Sequence, residues 1–254
     1  MQEEGSVATG KSARIALIAA LMLIAAGAGW AAAWIYTGSG AALSTSDRKA
    51  VETVVREYLL KNPEIIPEAV DVLQKKENAR QLAGIGDEVQ APYAGAMLGN
   101  PKGTVTLVEF SDFACGYCRK SVADIETLIG RNPDLRIVIR ELPILSPHSV
   151  DAARMALAAA EQGRYAQFHL AMFAAGQPGP DTIDAAARQA GLDMDKAREA
   201  AKSQRVQQEL DNNMAIARQL GFNGTPSWIA GEKLIAGAVG ADELAKAVAD
   251  IRGG

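Results

Sequence analysis

Apolar and polar positions recur with two different periods along this chain. In its first third, Val51, Val54, Val55, Tyr58 and Leu59 follow the i, i+3, i+4, i+7, i+8 spacing of one helical face. The spacing predicts a helix from Asp47, capped by Ser46 and stopped at Asn62-Pro63, because the residue before a proline is pushed out of the α region. A second helix, starting near Pro67, carries Ile66, Ala69, Val70 and Leu73 as its stripe and runs into polar Gln74-Lys75-Lys76-Glu77. Two short amphipathic helices cannot fully bury their faces on each other. They pack on the rest of the chain or on copies of themselves, and the stripe alone leaves both open.

Glycines with Pro92 and Pro101 mark residues 84–103 as a connection. Thr104 to Phe110 then reads as a buried strand, followed by a helix to about Ile129 that Asn132-Pro133 breaks. Leu135, Ile137 and Ile139 alternate with Arg136, Val138 and Arg140, the period of a second strand, which ends at Pro143. Ser149 to about Leu220 is Ala-rich and helical, with breaks at Gly163, Gln177-Pro178-Gly179-Pro180 and Gly191-Leu192-Asp193, giving about four or five helices. Pro226–Ala230 and Leu234–Ala236 read as a hairpin about Gly231-Glu232-Lys233, and a last helix covers Asp242–Ile251. Strand–helix–strand, a helical insert, then strand–strand–helix is an α/β arrangement interrupted in its middle. The pieces are residues 104–147, an insert over 148–220, and 221–254.

The N-terminus changes the picture of where this domain works. Residues 1–14 are polar and end in Lys11 and Arg14; Ile15 to Tyr36 then carries no charge over about 22 residues, enough as a helix to cross a bilayer core. Trp30, Trp34 and Tyr36 stand at its far end, where aromatic side chains prefer the headgroup region. The flanking charges predict a single-pass inner-membrane anchor with the N-terminus cytoplasmic and the rest extracytoplasmic. A cleaved signal is the competing reading, with sites such as Ala31-Ala32-Ala33 or Gly40-Ala41-Ala42, although its apolar region is normally shorter. Residues 37–46 form a flexible linker into the 47–83 helical extension. A net charge of −4 gives no reason to expect nucleic-acid binding.

The chain has two cysteines, Cys115 and Cys118, in a C-x-x-C placed where the first strand turns into a helix. Two thiols in the first turn of a helix can close and reopen a small disulfide, and a helix N-terminus favours a thiolate at its first position. The spacing predicts Cys115 as the nucleophile and Cys118 as the more buried, resolving thiol. A metal pair or an inert disulfide is the alternative. Zinc needs two further ligands, for which only His148 and His169 are on offer, and Arg119 stands where haem attachment requires His, so no metal is assigned. The cofactor requirement is none beyond the redox-active Cys115–Cys118 disulfide itself.

Residues 99–120 (GNPKGTVTLVEFSDFACGYCRK), the Leu142-Pro143-Ile144-Leu145 run and Gly224-Thr225-Pro226-Ser227 resemble the DsbA-type family of exported bacterial thiol–disulfide oxidoreductases. The resemblance covers roughly residues 90 to 252 and implies a thioredoxin fold with an inserted helical domain. Tyr58-Leu59-Leu60-Lys61-Asn62-Pro63-Glu64 is similar to the N-terminal extension of suppressor-of-copper-sensitivity protein C, in which the extension drives self-association. By the first resemblance, Pro226 is a cis proline facing the cysteines, and the backbone of Thr225 pairs with an incoming peptide; an ordinary turn proline is the alternative. Glu109, six residues before Cys115, is by the same resemblance a buried acid able to relay protons, against the alternative of an exposed strand-edge carboxylate. Gly116 and Tyr117 lie where strongly oxidising members have a His, which implies a milder potential; the Gly-Tyr pair also resembles that of disulfide isomerases. His148 and His169 are expected to pack, Tyr165, Phe168 and Phe173 to form the core of the insert, and Asp112, Arg119 and Lys120 to be surface charge.

The reading is therefore an exported, membrane-anchored enzyme that forms, reduces or isomerises disulfides in cysteine-containing exported proteins, reset by a membrane redox partner. An oligomer built by residues 47–83 favours isomerisation, and a monomer favours oxidation. A copper-handling protein holding Cu(I) on the two thiols is the alternative.

Overall fold

The computed structural model describes residues 44–253 and, before them, Met22, Ile24 and Trp30. Those three positions apart, the 1–14 tail, the 15–36 apolar stretch and residues 37–43 of the linker lie outside the described residues. Among the described residues, no helix is long and apolar enough to cross a membrane. The described chain divides into two units, one running to Pro67 and one from Glu68 on.

In the first unit, α1 (Thr45–Lys61) starts two residues before the predicted Asp47. Ser44, not Ser46, is the cap: its Oγ accepts from the Asp47 N–H at 3.1 Å and donates to the Asp47 carboxylate at 2.7 Å. Ser44 stands three residues before Asp47, the spacing that lets a capping hydroxyl reach an otherwise unpaired amide. At the other end, the Asn62 side chain donates to the Tyr58 carbonyl at 2.9 Å. The next helix, α2 (Ile65–Leu82), also begins early, placing Pro67 within the first turn, where a missing N–H costs no helical hydrogen bond.

The second unit is built on a five-stranded sheet of β1 (Met97–Gly99), β2 (Val105–Ser111), β3 (Leu135–Glu141), β4 (Ser227–Ala230) and β5 (Lys233–Ala236), in the order β1-β3-β2-β4-β5. β2 and β3 run parallel, and the other neighbours are antiparallel. Between β1 and the end of α2 lies a short helix, α3 (Gly86–Gln90). The crossover from β2 to β3 is α4 (Gly116–Arg131). Five helices separate β3 from β4: α5 (Pro147–Glu161), α6 (Tyr165–Ala175), α7 (Pro180–Gln189), α8 (Met194–Ala201) and α9 (Gln204–Gln219). The chain closes with α10 (Gly240–Gly253). This is a thioredoxin-like α/β fold with a helical insert.

The period-two pattern of β2 and β3 sorts their side chains onto two covered faces. Val105, Leu107, Ile137, Ile139 and Trp228 pack with Ile125 and Leu128 of α4, Leu244 and Val248 of α10, and the insert. Val108, Phe110, Val138 and Ile229 face Ile216 and Leu220 of α9, with Val89 of α3 and Phe222. The 84–103 stretch expected as plain connection contains both α3 and the edge strand β1. Its glycines read as loop signals, but Gly99 ends β1 at φ +83°, where a Cβ would come within 2.6 Å of the Leu135 carbonyl oxygen. Close backbone approach, not disorder, requires that glycine.

On the second face, the Arg140 side chain is only 3 % exposed. Its guanidinium donates to Glu209 Oε1 at 2.9 Å, Asn213 Oδ1 at 3.0 Å, and the carbonyls of Val89 at 3.2 Å and Ala91 at 2.9 Å, with a further bond to the Glu88 carbonyl. One buried cation thus ties β3, α9 and the α3 segment together.

Candidate active site

β2 delivers its last residues to a turn whose geometry is set by Asp112. Asp112 was expected as surface charge; it is buried, and its carboxylate accepts three backbone N–H bonds. Oδ1 takes Ala114 N at 2.8 Å, and Oδ2 takes Ile144 N at 2.8 Å and Leu145 N at 2.9 Å. The Asp112 carbonyl also accepts from Cys115 N at 2.9 Å. One side chain therefore binds the turn before α4 to the loop after β3. Asp112→Ala leaves these buried amides unpaired and is expected to cost about 3 kcal/mol, read as the loss of unfolding free energy in denaturant titration.

Cys115 is the N-cap of α4, and its Sγ accepts from the Cys118 N–H at 3.3 Å. The same thiol donates to the Thr225 carbonyl at 3.2 Å, across 110 residues of sequence. The Thr225–Pro226 peptide is cis. Both cysteines are free thiols; Cys115 is 4 % exposed and Cys118 1 %. Burial, and after it the charge of Glu109, pushes the Cys118 thiol far up from its ordinary value. Tyr117 is exposed, and a Cβ on Gly116 would meet nothing within 4 Å, so the two residues between the cysteines stand in open space. Lys120 is exposed 5.6 Å above the Tyr117 ring.

Glu109 is not a strand-edge acid. It sits on central β2, between Ile139 of β3 and Trp228 of β4, and is buried. Neither of its carboxylate oxygens has a hydrogen-bond partner among the described residues. Burial first, then the charges of Glu141 and Cys115, holds its carboxyl well above the usual carboxylate range.

Three residues near this centre were not foreseen as functional. Glu141 ends β3 on the face that carries Glu109, and the Tyr165 hydroxyl donates to its Oε1 at 2.6 Å. Its signal was available: Leu135, Ile137, Ile139 and Glu141 share one parity along the strand. Arg119, expected on the surface, reaches from α4 to the Gly176 carbonyl of the insert at 2.8 Å. Tyr165, Phe168 and Phe173 are buried in the insert, and Phe113 joins them at centroid distances of 5.8 Å to Phe168 and 4.9 Å to Phe173. His169 packs within this aromatic group, but neither ring nitrogen has a partner among the described residues, and burial pulls its pKa down to about 4. His148, by contrast, is exposed at the start of α5, 3.4 Å from Asp151, so it does not pack as expected. Among the described residues, no group of three or more His, Cys, Asp or Glu side chains is placed to hold a metal ion.

The profile of the DSBA-like thioredoxin domain matches residues 106–249, more than half of the chain. The chain belongs to the DsbA-like thioredoxin domain family. The profile of the copper resistance protein ScsC N-terminal domain matches residues 47–80, which hold nearly all of α1 and α2. A thioredoxin-like oxidoreductase from Silicibacter pomeroyi is 38 % identical, with a TM-score of 0.62 over 66 % of this DsbA-like chain and 98 % of that one. A linker-deletion mutant of Proteus mirabilis ScsC is 27 % identical, with a TM-score of 0.62 over 85 % of this chain and 99 % of that one. A curated relative is the Na(+)/H(+) antiporter NhaA 1 of Salinispora arenicola, 26 % identical across 69 % of this chain and 28 % of that protein. The chain spans about a quarter of the length of the first curated relatives it matches.

Proposed function

We propose that this chain is an exported, membrane-anchored protein thiol–disulfide oxidoreductase that works through the Cys115–Cys118 pair. The observation that carries the reading is the position of Cys115 Sγ, held at a helix N-terminus between the Cys118 amide and the Thr225 carbonyl. A helix N-terminus supplies amides and partial positive charge to a thiolate. In the proposed cycle, a client cysteine and Cys115 form a mixed disulfide, and Cys118 resolves it by attacking Cys115. Thr225 and Pro226, beside a groove lined by Asn223, Gly224 and Gly237, offer main chain to an extended client; main-chain bonds read no side chains, which fits a broad range of clients. Glu109 serves as proton relay for Cys118, and Gly116 and Tyr117 tune the potential towards the milder end by presenting no histidine.

The clients are cysteine-containing exported proteins, and a membrane redox partner resets the pair. The uncharged run of residues 15–36 with its basic N-terminal flank supports anchoring with the catalytic domain in the periplasm. The exposed Val51, Val54, Val55 and Tyr58 of α1, in the ScsC-type extension, support self-association. The Cu(I) reading rests on the thiols and on the copper-linked likeness of residues 47–80, whereas exchange chemistry also accounts for Thr225 and the buried carboxyl.

Acid-quenched thiol trapping of the full chain in its own membranes tests the reading, with Cys115→Ser and Cys118→Ser as controls. A pair trapped mostly as a disulfide in the membrane fraction marks an oxidase, and a pair trapped as dithiols marks an isomerase or reductase held reduced. Thiols that exchange with neither oxidised nor reduced clients overturn the proposal.

A further inference from the structure

The proposed cycle leaves a proton to be placed. When a client thiolate attacks Cys115 Sγ of the intramolecular disulfide, the bond to Cys118 breaks and its electron pair departs with Cys118 Sγ. Cys118 as a residue is 1 % exposed, so bulk water does not protonate its sulfur directly. On the reading of Glu109 as relay, the proton comes from the Glu109 carboxyl, which becomes a carboxylate and is reprotonated before the next turnover. In the reverse direction, the Cys118 thiol gives its proton to the Glu109 carboxylate and attacks Cys115 Sγ of the mixed disulfide, expelling the client thiolate.

Glu109 does not face this task alone. Parallel register sets Glu109 opposite Ile139 and Ser111 opposite Glu141, so the two carboxyls lie on one face of adjacent strands, two residues apart. Both residues are 1 % exposed, and three of their four oxygens lack a hydrogen-bond partner among the described residues. The fourth, Glu141 Oε1, receives the Tyr165 hydroxyl at 2.6 Å. Two like charges this deep cannot both persist, so a proton must sit on at least one of them. A hydroxyl donor stabilises the ionised form of the carboxylate it reaches: Tyr165 reaches Glu141 at 2.6 Å, whereas the Ser111 hydroxyl beside Glu109 eases its carboxyl down only weakly and makes no hydrogen bond of good geometry. Tyr165 therefore biases the charge to Glu141 and the proton to Glu109.

We propose that Glu141, held by the Tyr165 hydroxyl, is a positioning residue for proton transfer at Cys118: its charge keeps the relay proton on Glu109. The inference rests on the reading of Glu109 as relay and adds the group that sets its protonation. The other groups facing the pair do not supply this. Asp112 is committed to three backbone amides, and His169 is neutral above a pKa of about 4. Cys115 and Cys118 are the reacting thiols, and Ser111 brings no charge. Arg140, next along β3, belongs to the opposite face with Glu209 and Asn213. Burial is also the main cause that raises the Glu141 carboxyl to about 8, with the Tyr165 bond opposing and the Asp112 charge adding, so Glu141 carries its charge, and exerts this bias, from about pH 8 upward.

The test is the pH dependence of mixed-disulfide decay in the full chain after reaction with glutathione disulfide, followed by quenched flow and mass spectrometry. Glu141→Gln keeps the shape and removes the charge. Glu109 then ionises more readily, so the limb of the profile that it governs moves to lower pH by about one unit or more. Tyr165→Phe, which removes the donor and leaves the ring, moves the limb the same way by less. Glu109→Gln removes the limb. An unmoved limb in Glu141→Gln, with Glu109→Gln still removing it, overturns the inference and leaves the relay standing. A limb that survives Glu109→Gln overturns the relay and the inference with it. Where Glu141→Gln does not fold, Tyr165→Phe decides by the same shift, because a purely structural role for the hydroxyl lowers stability without moving a pH limb.

Discussion

Cys115→Ser is expected to abolish disulfide exchange, lowering turnover by more than about 10³-fold. A serine hydroxyl is not ionised near neutral pH and forms no disulfide, so no remaining group of the site replaces the lost step. Cys118→Ser behaves differently. Its Cys115 still attacks or accepts a client, but the mixed disulfide has no internal thiol to resolve it and accumulates. The two variants separate on non-reducing gels: covalent adducts with exported proteins build up in Cys118→Ser and are missing from Cys115→Ser. Both keep the fold, because the replaced sulfurs lie at the start of α4 and serine retains a donor for Thr225 or an acceptor for the Cys118 amide. Near-normal unfolding midpoints in both variants assign the loss to chemistry. Equal adduct formation in the two would mean that Cys118 also serves as entry thiol, contrary to its deeper burial.

The largest stability effect is expected on the other face of the sheet. Arg140→Met removes a guanidinium that satisfies five acceptors: Glu209, Asn213 and the carbonyls of Glu88, Val89 and Ala91. Methionine fills much of the same volume, so the loss is not mainly one of packing. It leaves a partly buried carboxylate without its partner and three carbonyls without a donor, and breaking a buried pair in this way costs about 3–5 kcal/mol. The denaturation midpoint of Arg140→Met should fall accordingly. Glu209→Gln should cost less, because it removes a charge while keeping an oxygen for Arg140 Nη1. The cysteines lie on the opposite face, so the exchange rate of the folded fraction of Arg140→Met should stay within about twofold of the parent.

His169 and Asp112 show how far local sequence carries. Histidine inside an Ala- and Phe-rich helix reads as a packed residue, and it is one, but the lack of any partner for its ring appears only when α6 meets Phe113. Asp112, beside a C-x-x-C and followed by a phenylalanine, looks like a solvent-facing turn residue. Its three amide donors come from Ala114 and from a loop more than thirty residues on. No local pattern announces them. The start of α1, two residues before the expected Asp47, has a smaller reason: Ser44 and Ser46 both offer a hydroxyl, and only the reach to Asp47 N chooses between them.

What the sequence by itself determined is what period and punctuation encode. An apolar run specified β2 and alternation β3, proline and glycine bounded α4 and the insert, and the C-x-x-C at a strand-to-helix turn announced redox chemistry, because these depend on neighbours a few residues apart. Only the tertiary structure decided that Thr225 lies against Cys115, that Arg119 ties α4 to Gly176, and that Glu141 shares a buried face with Glu109 under the Tyr165 hydroxyl. Those contacts depend on strand register and on how the five helices of the insert fold back over the two sheet faces. Each joins residues tens of positions apart whose local sequence is compatible with many other neighbours.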